Sequence, residues 1–270
     1  MRSNVKSPKH LQGRSSGQKE KILLKICCAD ALFFGKDRIK MIRRLFGTLT
    51  KFELTLWLLS VGVIVLSSAA AGVAGAGIDY LSTIASLIGV TSLIFIAKGN
   101  VVGQGLTVVF SVFYGFISLG FRYYGEMITY LGMTAPMAVL AIFTWLRHPS
   151  DKGASEVLAA RLTKKRIVGL VFFTALAATV FGFILKALGT ANLVVSTISV
   201  ATSFIPAYLT WCRSPYYALG YAANDIVLIV LWTAAAFEEP SSLAMVSCFT
   251  AFLANDIYGF ISWKKRLGHQ

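Results

Sequence analysis

Apolar residues in this chain come in runs of about twenty, separated by short polar or Gly- and Pro-containing breaks. Eight runs follow one another: Leu54 to Gly75, Ile78 to Ala97, Val101 to Gly120, Met127 to Leu146, Ile167 to Ala187, Asn192 to Trp211, Ala218 to Phe237 and Leu243 to Trp263. At about 1.5 Å of rise per residue, each is long enough to cross a hydrocarbon core of roughly 30 Å. The pattern predicts eight transmembrane helices. Connectors such as Lys98-Gly99-Asn100 and Ser214-Pro215 are short, so consecutive helices are expected to run antiparallel.

Composition agrees with that reading and excludes a water-soluble domain. Of 270 residues, 56% are hydrophobic and only 14% charged, with a mean hydropathy of +0.69, which leaves too little polar surface to face water. The charges are placed asymmetrically. Thirteen Lys and Arg precede Phe52, six lie from Arg147 to Arg166, three follow Trp263, and Lys98 and Arg213 sit in the short connectors. With eight spans these 24 of 26 cations fall on one side, and only Arg122 and Lys186 fall on the other, with Asp79, Glu126, Glu238 and Glu239. By the positive-inside rule both termini are expected in the cytoplasm, for a multi-pass protein of the inner (plasma) membrane. The net charge of +14 is then a consequence of topology and calls for no nucleic-acid partner. Trp145, Trp211 and Trp263 each close a helix just before a cation, as interfacial anchors would, and Tyr123, Tyr124 and Tyr216 invite the same reading.

The N-terminal segment, 1–53, is a basic tail. Its stretch from Ile22 to Phe46 mixes apolar residues with six cations and suits an interfacial helix; a start at Met41 is the equal alternative. It has no secretory signal pattern. Cys27, Cys28 and Cys212 are expected on the cytoplasmic side and Cys248 inside the last span, so no extracellular disulfide is expected. His10, His148 and His269 are scattered, so neither a metal site nor a cofactor is expected.

The chain also echoes itself. Leu81-Ser82-Thr83-Ile84-Ala85-Ser86 is matched at an offset of 114 by Val195-Ser196-Thr197-Ile198-Ser199-Val200, and Lys98-Gly99-Asn100 stands at the same offset from Cys212-Arg213-Ser214. The expected organisation is one extra span (54–76), a first three-helix bundle (78–146), a basic loop (147–166), a linker helix (167–187), a second bundle (191–263) and a short tail (264–270). An odd number of spans separates equivalent helices, so the two bundles form a parallel repeat, with substrate expected between the halves.

Polar positions mark the faces toward a pathway. Gln104, Thr107, Ser111, Tyr114 and Ser118 recur at helical spacing in the third span, and Tyr217, Tyr221, Asn224 or Asp225, Leu228 and Trp232 do so in the seventh. The last two spans each carry an Asn-Asp pair, Asn224-Asp225 and Asn255-Asp256. A carboxylate at membrane depth costs several kcal/mol unless it lines a wet cavity or has a partner, so both acids mark a solute pathway or a structural pairing between helices. Both lie roughly 10–12 Å from the cytoplasmic surface, in one layer. Substrate contacts are expected from Gln104, Tyr114, Tyr221, Asn224, Asp225, Trp232, Asn255 and Asp256. Pro136 and Pro206 are either simple kinks or hinges.

Two stretches carry a family resemblance. Lys98 to Met133, including Tyr123-Tyr124-Gly125-Glu126, and Arg213 to Leu228, including Ser214-Pro215-Tyr216-Tyr217 and Asn224-Asp225, resemble the nicotinamide riboside transporter (PnuC) family, and the likeness runs from about Ile78 to Lys265. The resemblance implies two three-helix bundles joined by a linker helix, a SWEET-like plan. It also implies facilitated diffusion of the vitamin, trapping by a cytoplasmic kinase, and a homotrimer. In the family two Trp three residues apart precede an Asp or Asn by four; here those positions are Ala218, Tyr221 and Asp225. Relatives are thought to carry thiamine, riboflavin or deoxynucleosides, so these stand as alternatives, as does proton coupling through the two acids. An enzyme would need a nucleophile, metal cluster or phosphate loop, and a retinal receptor a mid-membrane Lys; the spans offer neither, since Lys98 and Lys186 sit at helix ends.

Overall fold

The computed structural model describes residues 46–75, 77–150, 153–189 and 193–268. The interfacial helix expected near Ile22 and the alternative start at Met41 lie outside these residues. The chain divides into two units, Met1–Leu54 and Thr55–Gln270. In the first, Thr50 and Glu53 form a capping box: Thr50 N donates to Glu53 Oε2 at 2.6 Å and Glu53 N to Thr50 Oγ1 at 3.2 Å. This starts helix α1, Lys51–Val73, which continues into the second unit.

The second unit holds the remaining helices: α2, Tyr80–Ala97; α3, Val101–Gly120; α4, Tyr124–Leu146; α5, Lys164–Ala187; α6, Leu193–Trp211; α7, Tyr217–Glu238; and α8, Leu243–Gly268. Among the described residues, seven helices are long and apolar enough to cross a membrane, and α6, with 19 residues, is the remaining long helix. The protein is an all-α, multi-pass membrane protein. Local signals set the helix ends. Asp79 caps α2 by accepting from Ser82 N at 3.0 Å, and Asn100 caps α3 by accepting from Val102 N at 2.9 Å. Between them Gly99, at φ +72°, supplies the left-handed turn that ends α2. Arg213 does the same after α6 at φ +60°, without glycine's freedom.

Six helices close into a ring. α2 packs on α3, α3 on α4, α4 on α6, α6 on α7, α7 on α8, and α8 returns to α2. α5 lies outside against α6 with a single buried side chain, Leu185. Within the second unit, α1 is tied to the ring by Trp57 Nε1 donating to Thr91 Oγ1 at 3.0 Å, by Ser68 and Thr83 hydroxyls 2.8 Å apart, and by Asn255 Nδ2 donating to Ser60 Oγ at 3.1 Å.

Three expectations are corrected. The connection from Arg147 to Arg166 is no plain basic loop: Pro149–Ser150 (β1) and Gly153–Val157 (β2) pair antiparallel. The end of β2 and the residues after it are pinned by Val157 N donating to Gly99 O and Ala160 N donating to Arg213 O, each at 2.9 Å. Those two carbonyls sit at equivalent turns, so one short segment, 157–160, braces both. Helix α5 starts at Lys164 rather than Ile167, because Thr163 caps it, accepting from Arg166 N at 3.4 Å. Its cations can stay in water on long stems. Trp145 and Trp263 are no interfacial anchors either. Both are fully buried, stack on each other with ring centroids 5.3 Å apart, and donate their indole N–H groups to Thr210 O at 3.1 Å and Ile96 O at 2.9 Å. Ile96 O and Thr210 O, at the ends of α2 and α6, also accept from Gly99 N at 2.7 Å and Arg213 N at 3.0 Å, so each indole takes the second lone pair of its carbonyl.

The two prolines sit differently. In α4 the turn Tyr130–Thr134 widens to a π-helix just before Pro136, with Ala135 N–H donating to Tyr130 O. That accommodates a residue without an N–H. Pro206 lies inside α6 against Gly220 of α7, where a Cβ on the glycine would stand 2.9 Å from the proline Cβ. Only glycine allows α6 and α7 this close.

Candidate substrate-binding site

All six ring helices contribute to one central cavity. α2 supplies Gly89, Ser92, Leu93 and Ile96; α3 Gln104, Thr107 and Phe110; α4 Tyr130 and Thr134; α6 Thr210; α7 Tyr221 and Asp225; and α8 Phe252 and Asp256. Its free space is about 50 Å³. Ligand pockets are typically about 300–1,000 Å³, so the cavity is contracted and would have to widen around a nucleoside-sized solute. Phe110 and Phe252 account for much of the contraction, with ring centroids 5.3 Å apart. Phe252 reaches this position because Gly89 faces it: a Cβ there would collide with the phenyl ring.

The Asn-Asp pairs divide their work by helix geometry. Consecutive side chains on a helix point about 100° apart, so one member of each pair can face the cavity while its neighbour faces an adjacent helix. Asp225 and Asp256 both line the cavity; both are 3% exposed, and Oδ2 of each has no hydrogen-bond partner. Asn224 instead accepts from Ser203 Oγ at 3.0 Å, across to α6. Asn255 Nδ2 donates to Ser60 Oγ and to Ala251 O at 2.8 Å. The structure therefore brings Gln104, Tyr221, Asp225 and Asp256 together and sets Asn224 and Asn255 apart. Gln104 is buried with its Nε2 unpartnered, a donor beside the two acids.

Tyr114 and Trp232 belong to an aromatic layer on the side away from the basic helix ends. Trp232 Nε1 donates to Tyr114 Oη at 2.8 Å, joining α7 to α3 across the ring. Tyr130 lies 4.2 Å from Tyr114 between centroids, and Phe121 and Tyr123 meet Trp232 edge-on at 5.0 and 5.5 Å. The sequence did not single out the lining residues Phe110, Tyr130, Thr134, Thr210 and Phe252: a Phe looks like a packing residue, and a Thr in a membrane helix commonly bonds its own backbone, as Thr210 does to Pro206 O at 2.9 Å. A shallower hollow of about 420 Å³ lies among Arg161, Pro215, Tyr216 and Lys264 at the basic end and shares no residue with this cavity.

A ring of membrane-crossing helices around a central cavity that carries two buried acids is the architecture of a solute transporter. The chain belongs to the family whose model is described as nicotinamide mononucleotide transporter, which matches residues 79–265. Among curated proteins, it is similar to the nicotinamide riboside transporter PnuC of Neisseria mucosa, 27% identical over 228 residues, covering 83% of this chain and 84% of the relative. The nicotinamide riboside transporter PnuC of Haemophilus influenzae is 24% identical over 188 residues, covering 69% and 80%. A crystal structure of the vitamin B3 transporter PnuC superposes with a TM-score of 0.72 at 25% identity, covering 85% of this chain and 97% of that one.

Proposed function

We propose that the protein carries nicotinamide riboside across the inner membrane by facilitated diffusion. The observation that carries this reading is the cavity's charge: two acids, an unpartnered amide donor, aromatic faces, and no Lys or Arg among the lining residues. A cationic pyridinium is favoured by an aromatic face, by about 0.5–2 kcal/mol, and by a nearby carboxylate. A ribose finds acceptors and donors in Asp225, Asp256 and Gln104. A phosphate would enter without a cation to pair it, which favours the nucleoside over the mononucleotide that the family description names.

In this reading Tyr114 and Trp232 close the pathway on the acidic side, the two bundles rock about the cavity, and Pro136 with its π-turn is a hinge. Both termini lie in the cytoplasm, the chain assembles as a homotrimer, and a cytoplasmic kinase traps the vitamin. Support comes from the charge asymmetry for orientation and from the family for the rest. Thiamine is the second reading, since it shares the positive charge. Ala218, which stands where the family has Trp, is fully buried in the cluster of Trp145 and Trp263, where a further indole has no room.

Calorimetry on purified protein tests the proposal. Nicotinamide riboside is expected to bind saturably, the mononucleotide and a neutral deoxynucleoside far more weakly, and Asp225→Ala and Tyr221→Ala to weaken the first. Tight thiamine binding instead would replace the substrate and keep the site.

A further inference from the structure

The two halves of the ring, α2 to α4 and α6 to α8, end alike at the basic face. Gly99 and Arg213 stand 114 positions apart, and both hold left-handed backbone, at φ +72° and +60°. Each offers its carbonyl to the same short segment, Gly99 O to Val157 N and Arg213 O to Ala160 N. Three residues of chain reach at most about 10–11 Å, so both bonds can hold only while the two turns stay close.

The first half carries the segment and the second half holds it. On the first side it continues from α4, Leu158 N donates to His148 O at 3.0 Å, and Glu156 bridges to Asn100 along the backbone. From the second half two arginines reach it. Arg213 Nη1 donates to Leu158 O at 3.3 Å, and Arg266, near the end of α8, pairs with Glu156 at 3.6 Å. The segment is also coupled to the cavity: Val157, 2% exposed, belongs to one buried apolar cluster with Ile96, which lines the cavity wall. The crossed indoles of Trp145 and Trp263 tie the same end, but the ion pair differs from them in being wet. Its side chains are 23% and 16% exposed, so water can take over from either partner when they separate.

We propose that residues 156–160 form a latch. The segment stays with the first half, Arg213 and Arg266 of the second half hold it while the cavity is closed at the basic end, and both let go when the halves part there. The proposal rests on the rocking of two halves in the functional reading above.

The test locks the latch. In protein whose Cys27, Cys28, Cys212 and Cys248 are replaced by Ser, Glu156→Cys and Arg266→Cys are joined by a short reducible bis-methanethiosulfonate. Joining is expected to slow uptake of nicotinamide riboside into proteoliposomes by about tenfold or more, reversibly on reduction, while binding in detergent stays within about threefold. Undiminished uptake overturns the latch and leaves the functional reading standing. Loss of binding together with uptake on joining overturns it too, because the closed state already holds these residues together. Parent protein that neither binds nor carries the riboside overturns the functional reading, and the latch is then decided without substrate, as it is where the cysteine pair does not fold. For this, Gln104→Cys is the sole thiol, and a membrane-impermeant maleimide is added at the basic face of oriented vesicles. Glu156→Gln with Arg213→Gly, which keeps the left-handed turn and removes the guanidinium, is expected to speed labelling by about threefold or more. An equal or slower rate overturns the latch.

Discussion

Trp145 and Trp263 stack on each other and each donates its indole N–H to a helix-end carbonyl in the other half of the ring, at Thr210 and Ile96, which stand 114 positions apart. Each indole thus closes a helix that its own half does not contain. The pair knits the basic end of the ring. Truncating either to Ala is expected to cost roughly 3–5 kcal/mol, mostly through lost burial, since each carbonyl keeps its backbone donor. Phe at either position should retain most of the packing and lose only the donation. Thermal unfolding in detergent, read for both single variants and the double, should show coupling of about 0.5–1.5 kcal/mol between the rings.

Gly89 and Phe252 form a matched pair. Gly89→Ala would place a methyl group against the phenyl ring, an overpacking that costs about 1–3 kcal/mol and drives the ring further into the cavity. Riboside affinity and melting temperature should both fall. Phe252→Leu in the same chain is expected to restore both, and a failure of that rescue would remove Phe252 as the obstacle.

Asn224 and Asn255 are predicted to act on stability rather than on substrate. Each ties neighbouring helices through Ser203 or Ser60, so Asn224→Ala and Asn255→Ala should each cost about 1–3 kcal/mol. Riboside affinity measured beside them should stay within about threefold, in contrast to Asp225→Ala.

Cys212, just past the end of α6, reports on the brace at the basic end. Burial raises its thiol pKa, against the opposing pull of Arg166, Tyr208 and Arg213. A raised folded pKa favours the neutral thiol, so its contribution to stability is present below the unfolded thiol pKa and is lost as pH rises through the folded one. With Cys27, Cys28 and Cys248 replaced by Ser, maleimide labelling at pH 8 should be slow in the folded protein and fast after denaturation.

Much of the fold was legible because a bilayer imposes length and hydrophobicity on each span. The ends of α3 coincide with the apolar run, and the starts of α4 and α5 fall three residues outside theirs, where Tyr124 and Lys164 are polar enough to hide a helical turn. The inward stripe on α3, through Gln104, Ser111 and Tyr114, was readable because polar residues in an apolar span stand out. Phe110 and Phe252 were not, because an aromatic that narrows a cavity and one that faces lipid look alike in a sequence. Nor could the tryptophans be placed: a ring next to a cation at a helix end suits the membrane interface, but the last carbonyls of α2 and α6 can accept a second donor, and Trp145 and Trp263 reach them. The division of labour within each Asn-Asp pair needed the positions of Ser60 and Ser203.

Uptake of labelled nicotinamide riboside into proteoliposomes tests the central claim most directly. The account predicts saturable entry with no ion gradient imposed, unaffected by a protonophore, competed by unlabelled riboside and not by the mononucleotide, and abolished by the double change of Asp225 and Asp256 to Ala. Entry of the mononucleotide at a comparable rate, or no riboside entry into vesicles whose protein remains folded, would contradict it.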